Sequence, residues 1–222
     1  MSGEYPRGMC EIFEDFLGDN SNVLTETVAD SATQDAVAKH GGWWRMTMDG
    51  GDADACMIAT EVAFEPDEGH PVIFETRMYT TDADKTSFYA GFSDANTETE
   101  AIVIEDEDGT LSSIATDAFG FLLEGEQDVT WQAVGVDTDV DKTQDTLDNA
   151  TDAADSVTQT LRIEANPNDS GTAHYIVDGE LVETQTSWFD SGIVYCGVVS
   201  GDDRGTAHYI YIDYIYVCAP RS

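Results

Sequence analysis

The stretch Leu161–Glu183, LRIEANPNDSGTAHYIVDGELVE, leaves the chain little choice of secondary structure. Leu161, Ile163 and Ala165 alternate with Arg162, Glu164 and Asn166. That period of two places apolar side chains on one face of a strand. Asn-Pro-Asn-Asp-Ser-Gly then breaks the pattern, because proline lacks a donor and Asn and Gly tolerate turn geometry. His174–Val177 reads as a second strand and Glu180–Thr186 as a third. Between them Asp178-Gly179 predicts a type I′ hairpin, which needs positive φ at both central residues. The product is an antiparallel meander, and similar segments continue to the C-terminus.

The rest of the chain has the same texture. Cys10–Phe16 is a candidate first strand behind an arm, residues 1–10, broken by Gly3, Pro6 and Gly8. Thr27–Lys39 reads as a short helix closed by Gly41-Gly42. Trp43–Met48 and Ala55–Val62 read as a strand pair across the turn Asp49-Gly50-Gly51-Asp52. Val72–Tyr79 follows, with Val72, Phe74, Thr76 and Met78 on one face. Ser87–Ser93 contains Gly91, a sign of close backbone approach or a bulge. Ile102–Ile104, Phe119–Leu123, Val129–Val136 and Ile193–Ser200 are further strands. The last, Thr206–Cys218, is apolar on both faces apart from His208 and Asp213, as expected of a central or covered strand.

Charge narrows the partners. The 222 residues include 45 acids and 9 bases, a net charge of −36. Such a chain repels phosphate, which argues against nucleic acid and against an anionic membrane. No apolar run reaches the ~18 residues of a membrane span, and the N-terminus has no signal-peptide pattern. Between Asp94 and Asp155 eighteen acids face one base, Lys142. Within that stretch Asp137–Ser156 has few large apolar residues and reads as a solvated acidic insertion.

The candidate chemistry is sparse. Asp137, Asp139, Asp141 and Asp145 have the spacing of a weak Ca²⁺ loop, but Lys142 stands where an EF-hand needs glycine. Glu105–Asp108 is a second acidic candidate, and no other cofactor is implied. Cys10, Cys56, Cys196 and Cys218 are too scattered for a zinc site and are expected as reduced thiols, with Cys10 and Cys218 close together. His174 and His208 occupy equivalent places in a repeated word, GTAHYI, and are expected on strand surfaces. Trp43, Trp44, Trp131 and Trp188 could form a platform for stacking on a sugar, though core packing is the more frequent use, and Trp188, in the turn-like Thr186–Asp190, is the best candidate for exposure.

The Leu161–Thr184 segment resembles the late strands of concanavalin A-like jelly rolls, the sandwich of lectins, laminin-G-like modules and some glucanases. Ser87–Gly125, SFYAGFSDANTETEAIVIEDEDGTLSSIATDAFGFLLEG, is similar to domains of tailed-phage virion proteins. The resemblance spans Val72–Val217 and carries no catalytic signature. It implies one all-β, antiparallel jelly-roll sandwich over residues 11–222. It also implies a non-enzymatic virion protein assembled in the host cytoplasm, a capsid decoration or cement protein on the particle exterior. As such it would be homo-oligomeric and bound to the major capsid protein or another virion protein. The arm would be its anchor through Tyr5, Arg7 and Met9, adding to a strand edge of the shell. A glycan-binding attachment module is the alternative, and a glycoside hydrolase a third reading. The related glucanases use Glu-x-Asp-x-x-Glu; the nearest string, Glu126-Gln127-Asp128-Val129-Thr130-Trp131, lacks the final acid.

Overall fold

Among the residues described by the computed structural model of the protein, eighteen strands form. The described residues are 9–17, 24–37, 41–51, 54–60, 64–66, 71–96, 102–107, 110–138, 140–141, 145–147, 149–166, 171–189 and 192–220. In chain order the first strands are β1 (Met9–Glu14), β2 (Leu24–Ala29), β3 (Thr33–Val37), β4 (Trp43–Met48), β5 (Ala55–Thr60) and β6 (Val72–Thr80). Then come β7 (Thr86–Ser93), β8 (Ile104–Glu107), β9 (Thr110–Ser113), β10 (Ala118–Glu124), β11 (Asp128–Asp137) and β12 (Val140–Asp141). The last are β13 (Asp145–Thr146), β14 (Gln159–Asn166), β15 (Thr172–Val177), β16 (Glu180–Gln185), β17 (Cys196–Asp203) and β18 (His208–Pro220).

The strands form two antiparallel sheets and a small hairpin. The first sheet runs β16-β15-β14-β6-β18-β4-β3, with β1 beside the second half of β18. The second runs β12-β11-β10-β7-β17-β5-β2, with β13 also on β11; β8 and β9 pair alone. Phe74, Phe92, Phe119, Phe121, Trp131 and Ile163 pack between the sheets, all essentially inaccessible. Each such side chain contributes about 1.5–3 kcal/mol on burial. Gly91 lies opposite Gly120 across β7 and β10, and a Cβ on Gly91 would fall 2.4 Å from the Phe119 carbonyl oxygen. Gly120 in turn makes room for the Tyr89 ring.

The meander forms as its alternation dictates. Leu161, Ile163 and Ala165 are buried, and β14, β15 and β16 pair in order. Asp178 (φ 51°) and Gly179 (φ 85°) close the hairpin, and the Asp178 carboxylate accepts the Thr160 N–H at 2.8 Å.

Several expectations are corrected. The region expected as a short helix holds β2 and β3, joined through Asp30 at φ 51°. Its Thr25, Thr27, Val28, Thr33 and Val37 are β-branched and favour strand. The pair expected across Asp49–Asp52 is split: β4 joins β18 and β3, whereas β5 joins β17 and β2 in the other sheet. The chain changes sheet there, and Asp54 fixes the bend by accepting the N–H groups of Ser31, Asp49 and Gly51. Alternation reveals that a strand is half buried; it does not reveal against which sheet. The β17–β18 connection likewise crosses between sheets.

The acidic insertion is not simply solvated. Leu147 is 1% exposed and Ala153 is buried in the central core. The Leu147 and Ala153 N–H groups donate to the Trp131 and Val129 carbonyls. Gln159 accepts the Trp131 indole N–H at 3.1 Å and donates to the Thr151 carbonyl at 2.7 Å, tying the insertion to the core. Cys10 and Cys218 lie on paired strands but out of register, Cys10 opposite Ala219 and Cys218 opposite Glu11, and all four cysteines are thiols.

The two sheets differ on their outer faces. Strands β5, β7 and β10 are buried on both faces, because Ile102, Val103, Ile104, Leu111, Ile114 and Ala115 pack over them. Strands β4, β6 and β14 instead alternate buried and accessible residues, so the outer face of the first sheet is open.

Candidate functional site

The covered face of the second sheet carries a cluster of carboxylates, the residue type a hydrolase site would need. Its polar end gathers Ser87, Glu124, Asp202 and Arg204 beneath Glu105 and Asp106 of β8. Glu124 is buried, and both of its carboxylate oxygens accept hydrogen bonds from Arg204, at 2.8 and 2.9 Å. Ser87 donates to the same carboxylate at 2.9 Å. These hydrogen bonds, with Glu124 the main cause, push the Arg204 guanidinium well above its ordinary value. A buried carboxylate clamped in this way is committed to an ion pair, and the Asp106 N–H of β8 donates to it as well, so that β8 lies over the approach. The string Glu126-Gln127-Asp128 straddles the β10–β11 turn rather than one strand face, and Glu126 is paired with Lys85 at 2.8 Å. The carboxylates gathered at the polar end, Glu124, Glu105 and Asp202, all face Arg204, an ion-pair cluster rather than an acid and a nucleophile set on either side of a cleft.

The open face of the first sheet is a different surface. Along β18 the side chains of Tyr209 and Tyr211 point outward, and so do those of Tyr214 and Tyr216. The parity changes because a bulge at Asp213 shifts the register against β6. Tyr211 lies opposite Tyr79 of β6 and Arg45 of β4. Its ring is stacked on Tyr79, centroids 4.6 Å apart and planes 16° apart. Trp43 meets the edge of Tyr79 at 5.3 Å and 68°. Phe13 of β1 packs on Tyr214 at 5.7 Å and on Tyr216 at 6.4 Å. Phe13 is 57% and Tyr209 41% exposed, so the band ends in an open ring on each side.

Arginines and carboxylates interleave with these rings. Arg45 makes a two-pronged contact with Asp35 and lies 5.6 Å from the Tyr209 ring centroid. Arg77 is paired with Asp213 and lies between the Trp43 and Tyr214 rings, 5.9 and 6.0 Å from their centroids. Arg162 bridges Glu75 and Glu164. Tyr214 donates its hydroxyl to Glu75 at 2.6 Å. Burial, reinforced by that carboxylate, raises the Tyr214 phenol above its usual range. Three of the nine basic residues thus stand on one face of a chain of net charge −36. The face is aromatic and open, and its arginines are all paired with carboxylates, the Tyr- and Arg-rich composition that marks recognition surfaces.

The residues singled out in the sequence fall elsewhere. Trp188 is only 7% exposed; it packs against Tyr175 and over Gly135, and no sugar can stack on it. His208 is buried rather than on a strand surface, its Nδ1 2.9 Å from the Thr206 carbonyl; His174 is half-buried on β15. Tyr5 and Arg7 lie outside the described residues, and Met9, assigned to the arm, begins β1 opposite Pro220. The acidic loop does not converge: Asp145 pairs opposite Ala133, four residues or about 13 Å along β11 from Asp137. Asp145 instead accepts a hydrogen bond from Gln185, and Asp141 lies opposite Val136, while Asp139 is outside the described residues. Among the described residues no group of three His, Cys, Asp or Glu side chains is placed to hold a metal ion. The site that sequence reasoning missed did leave a signal, the change of tyrosine parity from 209 and 211 to 214 and 216.

No protein-family model matches the sequence, and no curated protein matches it. Solved structures do resemble it in fold. The carbohydrate recognition domain of Emp47p aligns with a TM-score of 0.60 at 11% identity, covering 94% of this chain and 93% of that one. A Bacillus licheniformis β-glucanase aligns at 0.62 and 13%, covering 93% and 97%. A structure described as a native glycosidic hydrolase aligns at 0.63 and 13%, covering 96% of both chains. At these identities the likeness establishes the architecture, a concanavalin A-like jelly roll, which both lectins and glycoside hydrolases use.

Proposed function

We propose that the protein is a non-hydrolytic carbohydrate-binding module whose ligand lies on the open face of the first sheet. The observation that carries this reading is the aromatic band around β18, open at Phe13 and Tyr209 and edged by paired Arg45, Arg77 and Arg162. Aromatic rings take the apolar face of a pyranose, while guanidinium and carboxylate edges meet its hydroxyls. The fold is compatible with either binding or hydrolysis and does not choose between them. Against hydrolysis stand the covered outer face of the second sheet and the Arg204 clamp on Glu124. The test is electrophoresis through gels containing soluble polysaccharides, with reducing-sugar release measured alongside. Retardation of the native protein without sugar release, and its loss in the double variant Trp43→Ala with Tyr209→Ala, is the expected result. Sugar release that survives this double substitution and is lost in Glu124→Gln would overturn it.

A virion decoration role is a second reading, favoured by the Tyr, Trp and Arg content of the same face, which equally suits docking to a protein. On that reading the face would meet the shell, and the rest of the acidic surface would point outward. None of the three neighbours described above is a virion protein.

A further inference from the structure

We infer that the open face selects an uncharged, extended polysaccharide chain lying along β18, and that it excludes uronate, sulfated and other anionic glycans. This inference rests on the carbohydrate-binding reading and names the ligand class that the same face would take.

Charge decides the class. An anionic glycan needs cations that are not already neutralised. Here Arg45 is occupied by Asp35, Arg77 by Asp213, and Arg162 by Glu75 and Glu164. Recruiting any of them to an anionic ligand would strip a carboxylate of its partner on a protein that already carries −36. The field of the whole molecule adds to this, since it repels an anion before contact. The same field attracts a cationic glycan, but that attraction is not specific to this face and is screened by salt, which distinguishes it from stacking of a neutral chain.

Shape decides the extent. The rows of Tyr209 and Tyr216 are seven residues apart on a bulged strand, about 20 Å. The two ends carry the open rings, Tyr209 and, across from Tyr216, Phe13. Between them Tyr79 and Tyr211 are stacked on each other, so they offer edges and hydroxyls rather than faces. A chain of several sugar rings therefore finds stacking at its ends and hydrogen bonding at its middle, whereas a single sugar can use one end only.

The experiment compares affinity gels of laminarin, mixed-linkage β-glucan and mannan with alginate and chitosan gels, at 0.1 and 1 M NaCl. It is completed by calorimetry with neutral oligosaccharides of one to six rings. Expected are retention on at least one neutral gel, unchanged by salt, none on alginate, retention on chitosan only at 0.1 M and lost at 1 M NaCl, and affinity that rises at least tenfold from two to four or more rings. Phe13→Ala and Tyr209→Ala should each lower affinity for the longer oligosaccharides several-fold, with the thermal midpoint unchanged. Retention on alginate, preferential retention on chitosan that persists at 1 M NaCl, or retention on the neutral gels that salt abolishes would overturn the uncharged class while leaving carbohydrate binding intact. A single sugar binding as tightly as a hexamer would overturn the extended track. Retention on none of the gels would overturn the inference together with the reading beneath it.

Discussion

Two buried polar residues show how differently one fold can treat such groups. The Tyr175 hydroxyl is buried among Phe121 and Trp188 with no hydrogen-bond partner among the described residues. Burial alone raises its phenol well above the ordinary value. An unsatisfied hydroxyl costs about 1–3 kcal/mol, so Tyr175→Phe should leave stability unchanged or raise it by up to about 1 kcal/mol in urea unfolding. A loss would mean that the hydroxyl has a partner. Asp54 is the opposite case. Burial opposes its ionisation, but hydrogen bonds from Asp49 and Ser31 outweigh it and hold the carboxyl at about 2, against an ordinary 3.8. Because the folded value is the lower one, the stabilisation is present above about pH 4 and lost as pH falls through about 2. The urea midpoint of Asp54→Asn should therefore fall well below that of the native protein at pH 6, and the gap should narrow at pH 2.5. An equal gap at both pH values would contradict it. None of this was legible in the sequence, where Tyr175 and Asp54 look like any tyrosine and any turn aspartate.

At the scale of elements, strand positions were largely legible and sheet membership was not. Val72–Tyr79, Ser87–Ser93 and the Asp178-Gly179 hairpin follow from alternation and turn chemistry. Which sheet β4 and β5 join depends on the bend that Asp54 holds together, a contact over 23 residues to Ser31. The acidic insertion was misread because two small anchors are invisible against so many acids. Leu147 is one of them, and Leu147→Ala should cost about 2–4 kcal/mol by opening a cavity beside the core. Replacing residues 137–156 with a Gly/Ser linker should destabilise the protein as well, by uncovering Trp131 and stripping Gln159 of the Thr151 carbonyl. A linker variant that melts like the native protein would restore the solvated-loop picture. The candidate site was half legible: the outward tyrosines of β18 are plain in the sequence, but the bulge that brings 214 and 216 onto the face of 209 and 211 follows from pairing with β6.

For the whole molecule, charge separates the recognition face from everything around it. With 45 acids and 9 bases, folding concentrates like charges, and screening must relieve the strain. The Debye length shortens from about 10 Å at 0.1 M salt to about 3 Å at 1 M, so the thermal midpoint should rise with NaCl across that range. A midpoint indifferent to salt would mean that the carboxylates are already neutralised. Binding of a neutral glycan should not share this dependence. The most direct test uses the protein's own indoles. Trp44, Trp131 and Trp188 are buried, and Trp43 alone stands half-exposed among the rings of the open face. Titration with a bound neutral glucan should give a saturable change in tryptophan emission that disappears in Trp43→Phe while the thermal midpoint stays put. An emission change that persists in Trp43→Phe would place the ligand elsewhere and contradict the assignment of this face.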